Sequence, residues 1–357
     1  MSATVIETDA LIVGAGPIGL YQVFQLGLLE INCHVVDTLP HPGGQCVQLY
    51  PDKPIYDVPG LPATTGQALS QALRQQIEPF VASGSAKLHW GQQVSHVLRL
   101  PDGRFSVATS AGLNFTAKTL FIAAGAGAFV PRKLHVPGLE AFEGSQVFYH
   151  LPENTPFAGK HVVIQGDDDN ALTWALWCAN QTEAQPSSVT LIHRRDVFTA
   201  STDRINAMRA SCVAGRMRFV AGQITAPVVN TTNGSTRLNA LQFALQDGSS
   251  ETMPTDMLLA SLGLSPKLGP LADWNLDMQR KQLPVDTEKF QTAQPGIFAV
   301  GDINTYPGKK KLIVCGFHEC VLAAFAAVEI VFPGKPQPLQ YTTTSTRLHG
   351  LLGVAKL

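Results

Sequence analysis

The stretch Asp9-Ala-Leu-Ile-Val-Gly14-Ala-Gly16-Pro17-Ile-Gly19 decides the fold. An apolar strand runs into a G-x-G-x-x-G turn and then into helical apolar spacing, the start of a dinucleotide-binding unit. Bare glycine backbone there lets a pyrophosphate come close, and the helix N-terminus receives its charge. The next apolar run, Cys33 to Val36, ends on Asp37, an acid placed for the hydroxyls of a free ribose. Tight turns also use glycine for steric reasons alone. The reading therefore rests on the ordered succession of strand, turn, helix, strand and acid.

Working outward, a second glycine turn follows Lys160-His-Val-Val-Ile-Gln-Gly166, and the strand after it, Ser188 to Ile192, ends in His193-Arg194-Arg195. Guanidinium forks bind phosphate oxygens in bidentate fashion, so this pattern predicts a ribose carrying a 2′-phosphate and a preference for NADPH over NADH. Gly166, Asp169, Asn170, Arg194 and Arg195 are its candidate contacts. The turn reads Gly166-Asp167-Asp168-Asp169-Asn170-Ala171. Extra carboxylates beside a pyrophosphate add bulk and like-charge repulsion, which predicts weak or lost nucleotide binding unless the acids face solvent.

Between and after these turns, Val-, Ile- and Leu-rich runs alternate with longer helical patterns, the mark of parallel sheets with crossover helices. Pro101-Asp-Gly-Arg104 predicts a hairpin turn. A Gly- and Pro-containing crossing follows Thr119-Leu-Phe-Ile-Ala-Ala-Gly125. Asp256 to Leu262 closes the second unit, and Pro295-Gly-Ile-Phe-Ala-Val-Gly301-Asp302 supplies a strand expected to rejoin the first sheet. The expected fold is α/β: two Rossmann-like three-layer nucleotide-binding domains, the second inserted in the first. Residues 1-124 and 263-357 would form one, and residues 125-262 the other.

The chain has 357 residues, 45% of them hydrophobic, enough for two packed cores. A net charge of −1 offers no global field for nucleic acid or anionic membrane. Met1 to Thr8 lacks signal-peptide character, and the apolar run Val321 to Phe332 is short and contains Glu329, so a cytoplasmic protein is expected. The six cysteines form no C-x-x-C and no metal-ligand cluster, and are expected to be reduced core thiols without a metal.

Several further strings carry a family resemblance. Pro42-Gly-Gly-Gln45, Leu49-Tyr50-Pro-Asp-Lys-Pro-Ile-Tyr56-Asp-Val-Pro-Gly60, Gly127-Ala-Phe129-Val-Pro-Arg132, Phe148-Tyr-His150 and Gly301-Asp302-Ile-Asn-Thr-Tyr-Pro-Gly308-Lys309 resemble the thioredoxin-reductase-like ferredoxin–NADP reductases (type 2) over nearly the whole chain. The resemblance implies a two-dinucleotide-binding-domain flavoprotein with FAD in the first domain and NADP(H) in the second. It also implies a homodimer exchanging electrons with ferredoxin or flavodoxin.

Carried over residue by residue, it implies that Gly14, Gly16, Pro17 and Gly19 cradle the pyrophosphate and Asp37 holds the adenosine ribose. Gln45 and Tyr50 would stand at the flavin end, Val94 at the adenine and Phe129 on the linker side. Asp302 would meet the ribityl chain, although on that residue alone an N-cap or turn aspartate is the better explanation. Tyr50 and Tyr341 are implied to stack on the ring, and Thr343 or Ser345 to bring a hydroxyl near it. The protein then positions and shields, while the flavin carries the chemistry.

The place where related thioredoxin reductases hold a redox C-x-x-C has Tyr149-His150 here, with no cysteine between Cys46 and Cys178, so an external acceptor is expected. Lys309, Lys310 and Lys311, with Arg132 and Lys133, suggest a basic docking surface for an acidic partner; a solvated loop is the plainer alternative. Other functions stay open on sequence: a flavoprotein with a weakened or lost NADPH site, a flavin reductase or diaphorase, or a non-catalytic sensing module.

Overall fold

A computed structural model describes residues 5–152, 157–232, 234–335 and 337–354. It falls into two compact units, Met1–Phe129 with Pro266–Leu357, and Val130–Ser265. The division lies a few residues beyond the expected one at 124/125 and 262/263. The chain leaves and returns along two short strands, Ala128–Pro131 and Leu264–Lys267, that pair with each other.

In the first unit, five parallel strands lie in the order Ala86–His89, Cys33–Val36, Val5–Val13, Asn114–Ile122, Ile297–Ala299. The Asn114–Ile122 strand forks. Asn114 to Ala117 pair antiparallel with Phe105–Thr109, which pairs in turn with Val94–Arg99, while Leu120 to Ile122 pair with Ile297–Ala299. The Pro101–Arg104 turn thus closes a hairpin, with the Arg104 N–H donating to Asp102 at 3.0 Å. The fork gives the sheet a meander on one face and helices on the other, which makes three layers.

Alternation along the strands feeds both layers. Ile12, Val35 and Phe121 enter the helix-side core with Leu20, Val23 and Ala324. Leu11, Val36 and Leu120 face the meander with Phe105 and Phe115. Each such fully buried side chain contributes roughly 1.5–3 kcal/mol against exposure. The helix Ile313–Val331 is long and apolar enough to cross a membrane. Here it packs on Pro17–Leu28 through Cys320, Ala323, Ala324 and Ala327, all fully buried.

The second unit repeats the plan. Val147–Phe148, Met257–Ala260, His161–Gln165, Ser188–His193 and the start of Arg218–Thr232 are parallel neighbours. The sheet then continues antiparallel through Ser235–Leu245 and Ser250–Pro254. Asp169–Ala179 and Thr202–Val213 cover one face, and a separate core fills the other.

Candidate cofactor sites

At the first glycine turn, Gly14 has φ +106, and a Cβ on it would stand 2.6 Å from the Ala123 carbonyl oxygen. A Cβ on Gly19 would stand 1.8 Å from the Gly14 carbonyl oxygen, so the helix is seated against the turn with no room for a side chain. Gly16 caps that helix without a side-chain hydrogen bond, and Pro17 opens it. The first-turn amides are thus left for a ligand. Asp37 accepts the Ala15 N–H at 2.5 Å and the Leu39 N–H at 2.8 Å. Burial pushes its carboxyl above the usual range, and those two N–H bonds pull it partly back.

Gly14, Gly16, Pro17 and Asp37 line one cleft, and so do Gln45, Tyr50, Val94, Phe129 and Asp302. Gly19 acts behind it. Tyr50 sits at the end of the short helix Gly44–Leu49, its hydroxyl 3.4 Å from the Cys46 Sγ. Burial, then that contact, raises the Tyr50 phenol above its usual range. Asp302 belongs to the single helical turn Gly301–Ile303 after the Ile297–Ala299 strand. Its carboxyl is raised by burial and drawn back by Lys309 and Lys311.

The tail residues are not brought to this cleft within the single chain. Tyr341 is 66% exposed and Thr343 is exposed. Ser345 caps the helix Thr346–Leu351, its Oγ accepting the Leu348 N–H at 3.2 Å and donating to Gln340. Trp274, Leu271 and Gln92 join the cleft wall without any sequence signal: the first two come from a loop and single helical turn after the return crossing. Lys309, expected in an exposed basic patch, is instead buried and paired with Glu319, which removes it from any docking surface. Lys133 pairs with Glu143, while Lys310, Lys311 and Arg132 are exposed.

In the second unit, Gly166 has φ +154, and a Cβ there would stand 2.5 Å from the Ser261 carbonyl oxygen. Two of the aspartates that follow have their carboxylates engaged by the chain itself. Asp168 caps the helix Asp169–Ala179, accepting the Ala171 N–H at 2.8 Å and the Ser261 hydroxyl at 2.9 Å. Asp169 accepts the Ser201 N–H and hydroxyl and pairs with Arg204 at 3.0 Å; the Ser201 bonds, then Arg204, hold its carboxyl below the usual range. The Asp167 carbonyl receives the Thr199 N–H at 2.9 Å. Asn170, Arg194 and Arg195 are exposed, and among the described residues neither arginine is in an ion pair. The six thiols are free, and the described residues hold no cluster of three metal-ligating side chains.

Two glycine-turn units of this plan are the architecture of a known family. Residues 8–319 match the model of the pyridine nucleotide-disulphide oxidoreductase family. The chain is 56% identical to a ferredoxin–NADP reductase of Albidiferax ferrireducens over 98% of its own length and 96% of the relative's. It is 55% identical to one from a Polaromonas species, over 98% and 93%. The chain belongs to the ferredoxin–NADP reductases of this family.

Thioredoxin reductase of Lactococcus lactis shares the fold at TM-score 0.54 and 22% identity, over 91% of this chain and 99% of that one. Bacillithiol disulfide reductase of Staphylococcus aureus does so at TM-score 0.57 and 17% identity, with the same coverage. These likenesses place the ferredoxin–NADP reductase chain on the thioredoxin-reductase-like, two-Rossmann-unit fold.

Proposed function

We infer that this chain is an FAD-dependent enzyme that moves electrons between NADPH and ferredoxin or flavodoxin. The cleft of the first unit carries the reading: bare glycine backbone at one helix N-terminus, with carboxylates at Asp37 and Asp302 on the same wall, suits FAD. A Cβ on Gly44 would stand 2.9 Å from the Gly16 Cα, so the backbone here is open only because glycine builds it. Gly14, Gly16 and Pro17 would hold the pyrophosphate, Asp37 the ribose, Val94 the adenine, Phe129 the linker side, Gln45 and Tyr50 the ring end, and Asp302 the ribityl chain. Bound FAD supplies the conversion between a two-electron hydride donor and a one-electron acceptor.

NADP(H) belongs to the second unit, with Arg194 and Arg195 on the 2′-phosphate and Gly166, Asp169 and Asn170 at the turn. Asp168 supports a second reading, in which the nucleotide site is weakened because a carboxylate already occupies the helix N-terminus. The missing C-x-x-C leaves the electrons for an external partner, and Lys310 and Lys311 remain exposed to meet an acidic one. A cytoplasmic homodimer completes the proposal, with light scattering as its check.

The test is an anaerobic visible spectrum of the purified protein before and after stoichiometric NADPH and, separately, NADH. Yellow protein bleached faster by NADPH, and reoxidised by added ferredoxin, is the expected outcome. Yellow protein that neither nucleotide bleaches would favour the second reading. Colourless protein that takes up no FAD would overturn both.

A further inference from the structure

Beneath the Gly301–Ile303 turn lies a carboxylate that no cofactor contact explains. Glu319, inside the helix Ile313–Val331, is fully buried. One oxygen accepts the Gly301 N–H at 2.7 Å and the Asn304 amide at 2.8 Å. The other accepts the Tyr306 hydroxyl at 3.0 Å and the Lys309 ammonium. Lys309, itself 6% exposed at the side chain, also donates to the Gly301 carbonyl at 2.9 Å.

Gly301 is therefore held at both its N–H and its C=O by the two members of one buried ion pair. Its φ of +79 gives the backbone reversal that turns Asp302 toward the cleft. An ion pair buried this deeply is a poor route to stability, because desolvating both charges offsets most of their attraction. What it does supply is a fixed geometry and a balanced field: Lys309 draws the Asp302 carboxyl down and Glu319 pushes it up.

We propose that Lys309 and Glu319 are positioning residues for the flavin site, a buried clamp on Gly301 that fixes the Asp302 carboxylate and cancels its own charge beside the cleft. The clamp rests on the FAD reading above. It touches no atom of the ligand and acts only through the turn and the local potential.

The test compares Glu319→Gln, Lys309→Met and the double variant in two measurements: FAD dissociation from the apoprotein, and the flavin midpoint potential of the reconstituted protein at mildly acidic pH. Each single change is expected to weaken FAD binding about tenfold. Glu319→Gln leaves an unbalanced positive charge and raises the potential, since positive charge favours the reduced, more negative flavin. Lys309→Met leaves the potential unchanged or lower. The double variant, neutral like the original pair, returns it to the wild-type value.

Single variants that shift the potential in the same direction, or that bind FAD as the wild type does, would overturn the clamp. If Glu319→Gln does not fold, a double variant with a potential displaced from wild type would overturn it too. Wild-type protein that binds no FAD would instead defeat the reading beneath it.

Discussion

At Gly14 to Gly19 the helix Pro17–Leu28 starts from Gly16, which brings no side chain to its own cap. At Gly166 to Ala171 the helix Asp169–Ala179 starts from Asp168, whose carboxylate takes the Ala171 N–H and is held there by Ser261. The order of the four central parallel strands and the leading glycine are shared, yet one helix end offers its amides to a ligand and the other spends part of them on its own chain. A phosphate site thus depends on what the first turn leaves unsatisfied as well as on the strand–turn–helix frame.

The sharpest way to break this comparison is steric. Gly19→Ala puts a methyl into the Gly14 carbonyl, and a loss of at least about 3 kcal/mol in urea unfolding is expected, together with loss of bound FAD. A variant with wild-type stability would mean that the first turn is not as closely seated as described.

The next effect concerns the second turn's partner strand. Replacing Arg194 and Arg195 by alanine is expected to weaken NADPH binding roughly tenfold or more and to leave NADH unchanged, read by nucleotide titration. Equal loss for both nucleotides would place the arginines elsewhere than on the 2′-phosphate.

Asp168→Asn sharpens the contrast directly, because asparagine keeps the cap while removing the charge. NADP+ should bind several-fold tighter, about threefold to tenfold, whereas 2′-AMP, which lacks the pyrophosphate, should bind as before. An unchanged NADP+ affinity would show that the carboxylate is no obstacle.

The last effect is a pH dependence confined to the first unit. His34 Nδ1 lies 2.9 Å from His89 Nε2, and burial, then His89 and Lys87, lower the His34 pKa from 6.5 to about 4. A depressed folded pKa favours the neutral ring, so this stabilisation is present above pH 6.5 and is lost as pH falls toward about 4. His34→Gln should flatten the acid side of the urea-midpoint profile. An unaltered profile would assign the acid sensitivity to other groups.

Much of the fold was legible because it is written in local pattern. The strand before Gly14, the acid at Asp37, the hairpin turn at Pro101 to Arg104 and the returning strand before Asp302 each follow from apolar runs punctuated by glycine, proline or acid. Nine of the residues assigned to the first nucleotide meet in one cleft for the same reason: they sit at the ends of neighbouring strands or in the turns beyond them. The long hairpin Arg218–Thr232 and Ser235–Leu245 was not anticipated, since its alternation is interrupted by two register shifts. Trp274 and Leu271 had no signal either, for they reach the cleft only through the return crossing.

The sequence by itself determined the two glycine-turn units and the opposite charge at their second strands, because each depends on residues close together along the chain, and the order of strand patterns along the chain pointed to their nesting. Tertiary structure alone decided which charged groups are free to act. Lys309 reads as one of three solvated lysines until the helix carrying Glu319 is packed beneath it, and Asp168 reads as a free turn acid until the Ala171 N–H and the Ser261 hydroxyl, from just beyond a distant strand, fix it as the helix cap. Burial and hydrogen-bond partners are set by what folding brings alongside a residue, and a linear pattern does not contain them.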